Sequence, residues 1–196
     1  MNIIGIFCSA SQTIDDIYFQ KTEELGKWMG EQGKTLVYGG ANMGLMECVA
    51  QTVKQSGGNI IGVIPSKLEE SKRVSALPDR FLHTKNLSDR KDIILAESDV
   101  MIALPGGIGT LDEVFHVMAS GTIGYHSKKI IFYNINGFYD DLLKFIQLTT
   151  AKGFTHARFS ESIIASDSID QILQQFDAFQ APQPKWGMVD QQGLVK

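Results

Sequence analysis

The chain has 196 residues, which suits one domain, and its 43% hydrophobic and 20% charged residues are a globular balance able to bury a sizeable core. Eighteen Lys and Arg against 22 Asp and Glu leave a net charge of −4, so no basic field exists to hold a nucleic-acid backbone. Any phosphate must be gripped locally, by backbone N–H groups and a few placed cations. Cys8 and Cys48 belong to no CxxC pair and read as reduced core thiols rather than a disulfide framework or a zinc site. The opening MNIIGIFCSASQ lacks the basic flank and apolar length of a signal peptide. No stretch reaches the roughly 20 apolar residues that span a bilayer. The expectation is a cytoplasmic protein with no membrane contact.

Short β-branched runs alternate with segments of helical period. Strands are predicted at Asn2–Cys8, Thr35–Tyr38, Asn59–Ile64, Phe81–Thr84, Val100–Leu104, Lys129–Tyr133 and Ser162–Ala165. Ile14, Ile17, Tyr18, Lys21, Leu25, Trp28 and Met29 recur at three- and four-residue spacing, as on an amphipathic helix. Further helices are predicted over Met43–Gln55, Leu87–Glu97, Thr110–Gly124, Tyr139–Thr150 and Ile169–Phe176. Nearly all-apolar strands alternating with helices imply a parallel sheet of about seven strands covered on both faces, a doubly wound, Rossmann-like α/β fold. Ser66–Asp79 reads as a charged loop able to lie over a site. The single domain is expected to span residues 1–179, and residues 180–196 a tail with Trp186 as a docking side chain.

In such sheets ligands bind beyond the carboxyl ends of the strands. The turn after the fifth strand is Pro105-Gly-Gly-Ile-Gly-Thr110, three glycines in four positions before a helix. Glycines let the backbone approach a ligand closely, and the helix start offers unpaired N–H groups and a positive dipole end. The turn lacks the Gly-Lys-Ser/Thr of a triphosphate loop, and Asp112 stands where a dinucleotide fingerprint needs its third glycine. Thr110-Leu-Asp-Glu113 matches a capping box with Thr110 as N-cap, so Glu113 is open to a structural role as well as a chemical one. After the second strand, Gly39-Gly-Ala-Asn-Met-Gly44 forms another glycine turn, with Gly39, Gly40 and Met43 placed to meet a sugar or an apolar group. After the first, Ser9 and Ser11 can donate to a base or sugar, although Ser11 or Thr13 can equally cap the next helix.

Arg90 and Lys91 precede the Pro105 turn by one element. Read alone they are a solvated helix face, since neighbours in sequence diverge on a helix. Read with the turn, they are cations for a phosphate, ribose hydroxyl or carboxylate. The four histidines show no metal-ligand spacing, and no lysine sits in a recognisable Schiff-base setting.

Tyr38-Gly-Gly-Ala-Asn-Met-Gly-Leu-Met46, Asp89-Arg-Lys91 and Pro105-Gly-Gly-Ile-Gly-Thr-Leu-Asp-Glu113 together closely resemble the LONELY GUY (LOG) family. The likeness runs from Ile3 to about Phe176. It implies a Rossmann-like fold and a homodimer with sites near the interface. It also implies hydrolysis of the N-glycosidic bond of a nucleoside 5′-monophosphate, without a cofactor or metal. By position, Arg90 and Glu113 match the family's catalytic pair, and Gly106, Gly107, Gly109 and Thr110 its phosphate loop. Ser9, Ser11, Gly39, Gly40, Met43 and Lys91 complete the expected substrate contacts. Ala41, Asp112, Leu87, Ile94 and the Ser9-Ala10 pair depart from the family pattern, which bears on the base accepted rather than on activity. The alternative reading is a nucleotide or molybdenum-cofactor carrier, which needs the anion loop but not Arg90 and Glu113 together. Lysine decarboxylation lacks a pyridoxal-phosphate signature.

Overall fold

The computed structural model describes residues 2–156, 163–172 and 174. Seven strands form one parallel sheet: β1 (Ile3–Phe7), β2 (Thr35–Tyr38), β3 (Asn59–Pro65), β4 (Arg80–Thr84), β5 (Val100–Ala103), β6 (Ile130–Tyr133) and β7 (Ile163–Ser166). The helices are α1 (Asp16–Glu31), α2 (Gly44–Gln55), α3 (Ser66–Glu70), α4 (Leu87–Glu97), α5 (Ile108–Ile123) and α6 (Asp140–Ala151). The strand order is β4-β3-β2-β1-β5-β6-β7, so the winding reverses between β1 and β5. That reversal parts the loops at the carboxyl ends of β1 and β5 and opens the crevice where such sheets bind ligands.

Both faces of the sheet are covered because successive strand residues point to opposite sides. Ile4, Ile6, Leu36, Tyr38, Val100 and Ile102 join one core with Leu25 and Met29 of α1 and Leu45, Val49 and Val53 of α2. Phe7, Val37, Met101 and Ala103 join the other, with Ile94 of α4, Val114 and Val117 of α5 and Ile146 of α6. Each face therefore removes a continuous apolar layer from water, the dominant favourable term in folding. Cys8 is buried and Cys48 half-buried, both as free thiols, and burial raises the Cys48 pKa to about 11.

The segment 66–79 is not wholly a loop, since α3 occupies its start. Its second half straps the β2 turn. Val74 bridges Ala41, the Asn42 N–H donates to the Arg73 carbonyl at 3.1 Å, and the Ser75 N–H donates to the Gly40 carbonyl at 2.9 Å. The expected helix over 169–176 is described only in part. The expected tail at 180–196, with Trp186, lies outside the described residues. No helix among the described residues is long and apolar enough to cross a membrane.

Candidate functional site

Three turns at the carboxyl edge of the sheet interlock by their backbones. The Ser9 N–H donates to the Pro105 carbonyl at 3.1 Å, which ties the β1 turn to the β5 turn. The Leu45 N–H donates to the Ser9 carbonyl at 2.9 Å, which ties in the β2 turn. Gly44 allows that contact: its φ is +56°, and a Cβ there would sit 2.5 Å from the Ala10 carbonyl carbon. The Tyr139 hydroxyl donates to the Leu104 carbonyl at 2.6 Å from below.

Arg90 and Glu113 meet above this base. The Arg90 Nη1 donates to the Glu113 Oε1 at 2.6 Å, and both side chains are almost wholly buried, 12% and 6% exposed. The guanidinium meets the β2 turn with its Nη2 end, where a Cβ on Gly39 would fall 1.6 Å from Nη2 and 2.7 Å from Cζ. Gly39 is thus a slot for Arg90. Burial holds the Glu113 carboxyl above its ordinary range, and the facing guanidinium offsets this only in part. Breaking such a pair by removing one partner is costly, because the other is left buried and uncompensated. The Arg90 Nε is buried without a protein partner, so the guanidinium has hydrogen-bonding capacity to spare.

Sequence neighbours of the pair continue the seam between α4 and α5. Lys91 Nζ reaches both Asp112 carboxylate oxygens at 2.9 Å, and His116 Nε2 lies 2.9 Å from Asp92 Oδ1. Arg90 and Lys91 are therefore not a solvated face. They diverge, as adjacent helical residues must, yet both land on α5, one inward and one outward. Lys91, expected at the substrate, is held by Asp112.

The start of α5 corrects the capping-box expectation. The helix begins at Ile108, its N-cap is Gly107, and no side chain caps it. Thr110 is the third helical residue, buried, its hydroxyl tucked so close to Gly106 that a Cβ there would lie 2.1 Å from Oγ1. Glu113 sits a further turn on, committed to Arg90 rather than to a backbone N–H. The first intrahelical bond found at this end is Leu111 N–H to the Gly107 carbonyl at 3.0 Å. The amides of Ile108, Gly109 and Thr110 precede it without a backbone acceptor, and Ile108 and Gly109 are exposed. A Cβ on Gly107 or Gly109 would meet nothing within 4 Å, so the chain itself does not require those glycines.

The other expected residues sort less evenly. Gly40 is buried, with φ +73° and its carbonyl bound by the strap. Met43 is the half-buried N-cap residue of α2, and Met46 packs into the core. The Ser9 hydroxyl accepts from the Ser11 N–H at 3.0 Å, and Ser11 Oγ accepts from the Thr13 N–H at 3.3 Å. These bonds stabilise the turn. Neither Ser11 nor Thr13 caps α1, which starts after Asp15. Sequence reasoning missed Tyr139, Asp112 as the lysine's partner, and the strap contacts of Arg73 to Ser75. The Asn134-x-Asn136-Gly137 turn signal before Tyr139 was the one available hint. Among the described residues, no three His, Cys, Asp or Glu side chains converge as metal ligands.

Comparison with known proteins fits this geometry. A family model described as possible lysine decarboxylase matches residues 46–176. A probable cytokinin riboside 5′-monophosphate phosphoribohydrolase of Oryza sativa subsp. japonica, LOGL9, is 37% identical over 77% of this chain and 66% of its own length. A second rice protein of that description, LOGL1, is 30% identical over 94% of this chain and 86% of its own. Cytokinin riboside 5′-monophosphate phosphoribohydrolase LOG5 of Arabidopsis thaliana is 30% identical over 90% of this chain and 77% of its own. Among solved structures, the molybdenum cofactor binding protein of Rippkaea orientalis superposes with a TM-score of 0.71 at 26% identity, covering 91% of this chain and 97% of that one. The Moco carrier protein of Chlamydomonas rheinhardtii shares the fold, with a TM-score of 0.70 at 22% identity over 92% of this chain and 98% of its own. On the family model and on the identity sustained along most of the plant enzymes, the chain belongs to the LOG family of phosphoribohydrolases.

Proposed function

We propose that this protein hydrolyses the N-glycosidic bond of a nucleoside 5′-monophosphate, releasing the free base and ribose 5-phosphate. The observation that carries the reading is the buried Arg90–Glu113 pair, at 2.6 Å, which brings the α4 arginine onto the glutamate of α5, the helix whose uncapped start is open to an anion. Glu113 stands five positions beyond Ile108, about 7.5 Å along a helix axis and the scale of a ribose phosphate. The glycine turn holds the phosphate, and that remote binding energy positions the sugar carbon. Glu113 stabilises the positive charge that develops as the C–N bond breaks and orients water or a ribose hydroxyl. Arg90 favours the ionised form of Glu113 against the burial that opposes it, and uses its remaining donors to orient the substrate or assist the leaving base.

The relatives' names support a purine riboside monophosphate carrying a cytokinin side chain, and the open, glycine-lined turn is equally suited to AMP. Ile108, 83% exposed, and the outward Phe115 and Leu87 support a homodimer formed along the outer faces of α4 and α5. The carrier alternative is favoured by the structural likeness to molybdenum-cofactor proteins. Incubation with AMP, other nucleoside monophosphates and isopentenyladenosine monophosphate separates the two. Free base from at least one supports hydrolysis, whereas tight binding with no base from any supports the carrier.

A further inference from the structure

The parallel ladder between β5 and β6 ends at the pair Ala103 and Phe132. The next carbonyl, that of Leu104, lies beyond the last rung in a wholly buried position, where an unpaired oxygen is costly. It accepts from the Tyr139 hydroxyl at 2.6 Å. On either side, the Leu104 N–H donates to the Phe7 carbonyl at 2.9 Å and the Pro105 carbonyl accepts from Ser9. The Leu104–Pro105 segment that aims the glycine turn is thereby fixed at two successive carbonyls, and the phenol is the one side chain in that set.

Tyr139 is itself placed by a dedicated turn. Asn134 Oδ1 accepts from the Tyr139 N–H at 2.7 Å, and its Nδ2 donates to Asp140 Oδ1 at 2.7 Å. The backbone reverses through Asn136 and Gly137, with φ of +53° and +70°. The ring packs edge-on against Phe132 and Phe138, both at 4.9 Å between centroids. Left-handed backbone at a non-glycine residue is strain that persists only where the surroundings over-determine it.

We infer that Tyr139 is a positioning residue for the phosphate turn: its hydroxyl fixes the Leu104–Pro105 peptide, and through it the direction of the amides at the start of α5. The inference rests on the reading of that turn as a phosphate grip, and the test separates the two. Binding of ribose 5-phosphate and of adenosine is measured on the full chain, with steady-state kinetics on AMP or whichever monophosphate the wild type cleaves. Tyr139→Phe keeps the ring and removes the hydroxyl. Expected are about tenfold weaker ribose 5-phosphate binding and a tenfold higher KM, with kcat within about twofold and adenosine binding unchanged. Ile146→Val, a core change on α6 with no part in that hydrogen bond, lowers the thermal midpoint and leaves KM in place. Equal ribose 5-phosphate affinity in Tyr139→Phe and wild type overturns the inference, as does an equal loss for phosphorylated and unphosphorylated ligands. Failure of the wild type to bind ribose 5-phosphate or any monophosphate instead overturns the phosphate reading itself. Should Tyr139→Phe not fold, Asn134→Ser, which frees the Tyr139 N–H, carries the same expected rise in KM, and an unchanged KM refutes the clamp.

Discussion

A methyl group at position 39 is the smallest change expected to disconnect Arg90 from Glu113, because the Gly39 Cβ would stand 1.6 Å from Arg90 Nη2 and 2.7 Å from Cζ. The backbone at Gly39 has no positive φ, so alanine fits it, and the strain falls on the arginine tip. Restoring ordinary contact requires the guanidinium to move by about 2 Å. Displacement of that size takes the 2.6 Å bond to Glu113 beyond hydrogen-bond range. A hydrogen bond to a charged group contributes about 1.5–3 kcal/mol, which corresponds to roughly 10- to 150-fold. Gly39→Ala should therefore lower kcat/KM about 100-fold. Glu113, with its guanidinium gone, should titrate at still higher pH, moving the acid limb of the pH–rate profile upward. The decisive assay is a double-mutant cycle with Arg90→Ala. If Gly39 acts through Arg90, adding Gly39→Ala to Arg90→Ala costs nothing further. Additive losses, or wild-type activity in Gly39→Ala, would refute the slot.

Other expectations follow from the same geometry. Gly109→Ala places a methyl group where the chain leaves open space in the first turn of α5, so it should stabilise the unliganded protein by about 0.5 kcal/mol in chemical denaturation. The same variant should weaken ribose 5-phosphate binding, and unchanged affinity would remove the argument that this glycine serves a ligand. His126 accepts from the Lys128 N–H through Nδ1 at 3.1 Å, and its Nε2 lies 3.0 Å from the Val117 carbonyl. Burial holds its pKa below the ordinary 6.5. The folded state therefore disfavours the proton, and the stability His126 contributes is present above about pH 6.5 and lost as pH falls below it. Urea unfolding of His126→Gln against wild type between pH 5 and 7.5 should show a shallower pH dependence in the variant, and identical slopes would contradict this.

The periodicity of the sequence was enough to read the sheet and its helices because nearly every strand is buried on both faces. The bounds of α4 were legible at both ends, since Asn86 ahead of it is a side-chain cap that accepts from the Asp89 N–H at 2.9 Å. The start of α5 was misread for a physical reason. Thr110 and Glu113 have capping-box spacing, but the helix already begins at Ile108, uncapped at Gly107, so Thr110 lies inside the first turn and not ahead of it. Composition alone favoured a solvated face for Arg90 and Lys91, because a pattern along one helix says nothing of the carboxylates on another. Tyr139 was invisible for the same reason: its partner is a backbone carbonyl 35 residues away in sequence.

The central claim, that Glu113 performs the hydrolysis on a phosphate held by the glycine turn, is tested most directly by Glu113→Gln. Purified wild-type protein and the variant are incubated with the best-cleaved monophosphate, and free base and ribose 5-phosphate are quantified together. The account predicts equal amounts of both products from the wild type, none above background from the variant, and monophosphate binding retained within about tenfold. Full product release by Glu113→Gln would contradict it.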